Sequence, residues 1–136
     1  MLKRTFFILS ITAFIIFGST ACTPASVAPG ASSQGKNATI VLDENPTTGY
    51  TWAVSIDRED ILNLTNDKYT ASKSDSKIAG AGGFHTYVFK AKSPGTAVIT
   101  FDLGQQWAGG QKGAKTQKYE ITVGPDGNIA STKEIQ

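Results

Sequence analysis

The sequence predicts an all-β mature domain, a two-sheet sandwich of about seven short strands. Three observations predict it. Apolar residues alternate with polar ones along several short runs, and Pro, Gly and Asn separate those runs. Beyond the N-terminal segment, no stretch of about eleven residues carries apolar positions at helical spacing. A sheet with one apolar face must cover it, hence two sheets. The 136 residues suit one such domain, and no internal repeat occurs.

Lys3 and Arg4 precede an apolar stretch over 5–18, and Ser19, Thr20 and Ala21 follow it. Residues 1–21 therefore read as an export signal, because the apolar run falls short of the ~20 residues that a spanning helix needs. The only cysteine, Cys22, comes next, where a lipoprotein signal places its acylated residue, although Ser19 stands in place of the usual leucine-like residue. Lipidation at Cys22, and a membrane-anchored protein facing the exterior or periplasm, are expected. The alternative is a plain cleaved signal and a secreted chain with a free thiol. One cysteine excludes an intramolecular disulfide. Loss of residues 1–21 removes Lys3 and Arg4 but no acidic residue, taking the formal charge from +2 to zero. That balance excludes a basic nucleic-acid or membrane-surface binder.

Residues 22–36 are rich in Pro, Ser, Ala and Gly and read as a flexible linker. The folded domain is expected over 37–124. Ile40, Val41 and Leu42 mark a first strand. Tyr50, Trp52, Val54 and Ile56 then alternate along a second and should face the core, Trp52 with them. Residues 58–60 form a polar turn, 61–64 and 67–72 two short strands, and 72–77 a solvated polar run. Two β-rich runs follow, 84–91 and 96–103, divided by the turn signal Pro94-Gly95. Tyr87, Phe89 and Ala91 share one face; Ala97, Ile99, Phe101 and Leu103 share another. The last strand, 115–123, turns Tyr119, Ile121 and Val123 inward and stops at Gly124-Pro125. Residues 125–136 are a polar tail expected to fray.

Chemistry finds little purchase. His85 is the only histidine, which excludes a multi-histidine metal site, and it reads as a surface or edge residue of its strand. Asp43-Glu44 and Glu59-Asp60 lie in polar, turn-like segments with no apolar surround to split their pKa values. No enzyme, cofactor or metal is expected. Three other stretches carry more information. Asn45-Pro46-Thr47-Thr48-Gly49 joins two strands as a rigid loop: Pro46 fixes φ, the threonines are stiff at χ1, and Gly49 permits a φ that other residues resist. Gly80-Ala81-Gly82-Gly83 precedes a strand and exposes backbone, as a flexible hairpin loop or as a place for another chain to approach. Gln105-Gln106-Trp107 sets a tryptophan among polar and small residues, either folded back on the core or offered to a partner.

Asn45-Pro46-Thr47-Thr48-Gly49-Tyr50-Thr51-Trp52, followed by Gly80-Ala81-Gly82-Gly83 and Trp107, resembles the chagasin-type inhibitors of papain-like cysteine proteases. The likeness runs from about Ile40 to Val123. Gln105 and Gln106 stand where that family has Arg-Pro, so only Trp107 of its third motif carries over. The resemblance implies an immunoglobulin-like β-sandwich presenting three loops at one end. It also implies a reversible inhibitor whose only macromolecular partner is a papain-like protease, with a monomer expected. The implied binding residues are Asn45, Pro46, Thr47, Thr48, Gly49 and Tyr50 in the cleft, Gly80, Ala81, Gly82 and Gly83 along one wall, and Gln105, Gln106 and Trp107 on the other. A secreted β-sandwich module that binds glycan or an envelope protein is the alternative.

Overall fold

The computed structural model describes residues 28–72, 80 and 82–136. Eight strands follow in chain order: β1 Gly30–Gln34, β2 Asn37–Glu44, β3 Tyr50–Ile56, β4 Leu62–Ala71, β5 Gly83–Ala91, β6 Gly95–Gln105, β7 Lys115–Val123 and β8 Ile129–Ile135. A single 3₁₀ turn, Pro46–Thr48, is the only helical element among the described residues. The strands form two four-stranded antiparallel sheets, ordered β1-β2-β5-β4 and β3-β6-β7-β8. The residues placed inward by alternation face the core, except Tyr50, which is half-buried outside the core cluster. Ile40 and Leu42 of β2 and Tyr87, Phe89 and Ala91 of β5 come from one sheet; Ile99 and Phe101 of β6 and Tyr119, Ile121 and Val123 of β7 meet them from the other.

Phe101 is the hub of that core. Its ring lies 5.0 Å from Tyr87, 5.9 Å from Tyr119, 6.1 Å from Phe89 and 6.4 Å from Trp52, the last three edge-on. Edge-on pairs satisfy the ring quadrupoles, so one residue ties both sheets together. Trp52 is 8% exposed and belongs to the core as its phase with Val54 and Ile56 requires. Its indole N–H donates to the Asp43 carbonyl of the opposite sheet at 2.8 Å, which fastens β3 to β2 just beneath the chain crossing.

Four expectations are corrected. The segments 61–64 and 67–72 are one strand, β4, with a bulge between Leu64 and Asn66 that breaks the alternation and hides the continuity. The linker ends earlier than 36, because residues 30–34 pair as β1 from Gly30↔Val41 to Gln34↔Asn37. The tail is not frayed: β8 pairs with β7 from Lys118↔Ile135 to Val123↔Ile129. Both are edge strands held by backbone ladders and bury little; β1 is exposed at all five residues, so no apolar pattern announces it. The two come together where the Ile129 N–H donates to the Gly35 carbonyl at 2.8 Å. Lastly, Glu44 and His85 are not surface groups. Glu44 is 5% exposed, and His85 sits inward of Phe84 on a central strand, in phase with Tyr87 and Phe89.

Antiparallel connectivity brings three connections to one end: loop 1 (45–49) from β2 to β3, loop 2 (72–82) from β4 to β5, and loop 3 (106–114) from β6 to β7. The three sequence motifs, dispersed over some sixty residues, thereby become neighbours.

Candidate functional site

Loop 1 folds on itself. The Asn45 side chain caps the 3₁₀ turn, its oxygen accepting from the Thr47 N–H at 3.3 Å and from the Thr47 hydroxyl at 2.6 Å. Thr48 donates to the Asn45 carbonyl through both its amide (3.1 Å) and its hydroxyl (2.7 Å), and the Gly49 N–H donates to Pro46 at 3.0 Å. Both threonine hydroxyls are thus committed within the loop. Gly49 closes the turn at φ +80°, a conformation that L side chains rarely adopt. Pro46, Thr47 and Thr48 remain exposed at the tip.

Loop 2 is fastened beneath loop 1. The Asn45 amide donates to the Gly80 carbonyl at 3.0 Å, and the Ser72 N–H donates to Gly82 at 3.1 Å. A side chain on Gly82 would meet the Glu44 carbonyl at 3.2 Å; one on buried Gly83 would run into the Thr70 carbonyl and into the Tyr69 hydroxyl at 2.7 Å. The last two glycines of the motif therefore serve close packing inside the fold as well as exposed backbone. Ala81 and most of the polar run, 73–77, lie outside the described residues, as does Cys22.

Loop 3 answers the question that its tryptophan raised. Trp107 is 52% exposed, yet its ring lies over Gly49, with Cη2 2.6 Å from where a side chain there would begin. One edge braces loop 1 and the rest faces out. The Gly110 N–H donates to the Trp107 carbonyl at 3.1 Å and closes the turn. The side chains of the two glutamines bond back to the protein as braces. Gln105 receives the Gln111 N–H on its side chain at 3.0 Å, and its carbonyl receives the Lys112 ammonium at 2.6 Å. Gln106 donates to the carbonyls of Thr51 and Gly104, each at 3.2 Å. Tyr50, half-buried at the start of β3, donates its hydroxyl to the Gln111 side chain at 2.6 Å.

Gln111 and Lys112 thus support loop 3 without having stood out in the sequence. Polar residues that bond backbone carry no periodic pattern, and their partners are fixed only by the hairpin. A groove of about 530 Å³ opens between loops 1 and 2, lined by Asp43, Glu44, Asn45, Ser72, Gly82, Gly83 and Phe84. Its buried carboxylate, Glu44, is engaged by His85. Among the described residues, the loop end presents an exposed turn, the backbone of Gly80 and Gly82, and a leaning indole.

Comparison with known proteins follows this geometry. Residues 32–123 match the family described as Chagasin family peptidase inhibitor. Amoebiasin-1 of Entamoeba histolytica is 31% identical over 77 residues, covering 56% of this chain and 72% of that relative. The crystal structure of the cysteine protease inhibitor EhICP2, also from Entamoeba histolytica, superimposes with a TM-score of 0.55 at 25% identity, over 62% of this chain and 75% of the other.

Proposed function

The chain belongs to the chagasin family of peptidase inhibitors, and from that premise we propose how its loop end acts. The protein is a reversible inhibitor of cysteine proteases and not an enzyme. The exposed turn Pro46–Thr48 enters the active-site cleft of a papain-like protease, Gly80–Gly83 lies along one wall, and Trp107 packs on the other.

The single observation that supports this reading is that the loops are fastened to one another before any partner arrives: Asn45 to Gly80, and Trp107 to Gly49. Loops 1 and 3, braced against each other in this way, lose little conformational entropy on binding, which is where a cleft-filling surface gains affinity. The tip also resists cleavage. Its peptide groups are closed into a turn by the bonds from Thr48 and Gly49, so they do not present an extended strand to the catalytic cysteine. A standard interface of roughly 800 Å² per partner is expected, with the chain acting as a monomer.

We place the protein outside the cytoplasm, anchored through Cys22. The register Gly30↔Val41 brings the chain into the sandwich beside the loop end, eight residues after Cys22. Eight residues span at most about 29 Å, so an anchored molecule works close to the bilayer.

Titration of papain with residues 28–136 tests the reading. Stoichiometric, reversible loss of activity is expected; full activity in papain and in several related proteases overturns it.

A further inference from the structure

His85 carries the observation that remains unused. It stands on β5 two residues after Gly83, and its ring is stacked on Tyr87 at 4.3 Å and 11°, with Tyr69 edge-on at 6.4 Å. Nδ1 is hydrogen-bonded to Glu44, the residue immediately before loop 1. Nε2 is buried and has no hydrogen-bond partner among the described residues, and a carboxylate oxygen of Asp67 on β4 lies 3.8 Å away. A buried polar atom without a partner is costly and calls for an explanation.

The tautomer supplies one. With a carboxylate at Nδ1, the neutral ring keeps its proton there and leaves a bare lone pair on Nε2, facing a second carboxylate. A proton at Nε2 turns the ring into a cation with a carboxylate oxygen of Asp67 3.8 Å away, within ion-pair range. Among the described residues, the ionisable groups facing the ring are Glu44 from β2, Asp67 and Tyr69 from β4, and Tyr87 from its own strand. The Tyr87 hydroxyl reports the field there: burial, then Glu44 and Asp67, push its pKa far above the ordinary tyrosine value.

We propose that Glu44, His85 and Asp67 form a clamp, tightened by acid, that positions loop 1 on loop 2. His85 is a positioning residue that acts through Glu44. The neutral ring holds the start of loop 1 to the strand that leaves loop 2, because Glu44 and Gly83 are direct cross-strand partners. The protonated ring is drawn to β4 as well, adding to its charge-assisted bond with buried Glu44 an ion-pair contact at 3.8 Å with the more exposed Asp67. Histidine is the side chain that changes charge between about pH 5 and 8, the range in which such a clamp would respond. Inhibition therefore strengthens on acidification. This rests on the three-loop reading of the site.

The test uses the ratio of inhibition constants at pH 5.5 and 7.5 against papain for the wild-type chain, His85→Asn and Asp67→Asn. The enzyme's own pH dependence is common to all three and cancels. His85→Asn keeps a neutral donor where Nδ1 stood, and Asp67 is exposed enough that its amide should fold. The wild-type chain should tighten about three- to fivefold more than either variant on acidification, the scale of a partly screened ion pair. Since the chain has one histidine, its imidazole proton resonance gives a second, unambiguous readout. Its titration midpoint should fall in Asp67→Asn. Parallel inhibition profiles in all three proteins, or an unmoved midpoint, overturn the clamp. Failure of the wild-type chain to inhibit at either pH instead removes the three-loop reading, and the midpoint alone then decides.

Discussion

Trp107 leans on Gly49. The indole of loop 3 occupies the place that a side chain on loop 1 would need, so two segments more than fifty residues apart hold one shape together. Neither residue is interchangeable, and both are open to test.

Gly49→Val should be the most damaging change at the tip. A β-branched residue at φ +80° is strained by roughly 1–3 kcal/mol, and its methyls would displace the indole. Inhibition of papain should weaken at least tenfold while the β-sheet circular dichroism spectrum is kept. An unchanged inhibition constant would show that loop 1 does not enter the cleft.

Trp107→Ala removes an aromatic anchor of the kind that commonly costs ~2 kcal/mol or more at an interface, about thirtyfold in affinity. Because over half of the residue is exposed, the melting temperature should barely move. Gln105→Ala should not be silent, as a rim glutamine would be. It unfastens the Gln111 amide and slackens the hairpin that carries Trp107, with about a three- to tenfold loss, the size of one modest hydrogen bond. Paired measurements of dissociation rate and melting temperature separate the two effects; equal affinity of Gln105→Ala and the parent would mean that loop 3 keeps its shape without that bond.

Trp52 belongs to stability. Truncation to Ala should cost about 3–5 kcal/mol, as large core deletions do. Trp52→Phe retains most of the packing and loses the bond to Asp43, so it should cost nearer ~1 kcal/mol. Urea unfolding of both variants measures the pair. A Phe variant as unstable as the Ala variant would make the hydrogen bond, and not the ring, the main contribution.

The turn into β8 carries a pH signature. Asn128 donates to the Asp126 carboxylate through its amide (2.8 Å) and its backbone N–H (3.1 Å), and these bonds hold the Asp126 carboxyl below the usual range. A depressed carboxyl pKa stabilises the fold fully above the unfolded value, about 3.9 for Asp, and that contribution is lost as pH falls through the lower folded value. Asn128→Ala should therefore lower the melting temperature more at pH 6 than at pH 2.5. Equal losses at both would show that the carboxylate bonds do not support the turn.

Much of the fold was legible because burial writes a period into the sequence. Tyr87, Phe89 and Ala91, or Tyr119, Ile121 and Val123, face inward for the plain reason that alternate residues of a strand share a face, and Trp52 could be assigned to the core by phase alone. Loop 1 was legible for a local reason: Pro46 fixes its own φ whatever surrounds it, and Gly49 admits the positive φ that closes the turn.

The tertiary structure decided what depends on partners distant in sequence. The edge strands β1 and β8 bury almost nothing and exist through ladders to neighbours, so composition alone reads them as linker and tail. Gln105 and Gln106 became braces, and Glu44 and His85 a buried pair, only once antiparallel pairing set carbonyls, amides and a carboxylate against them. A polar side chain has no preferred side until the fold supplies its hydrogen-bonding partner, whereas an apolar one is driven inward by water alone. The core-forming strands and the rigid turn of loop 1 were therefore written in the sequence, and the edge strands and the fastening of the loops to one another were written only in space.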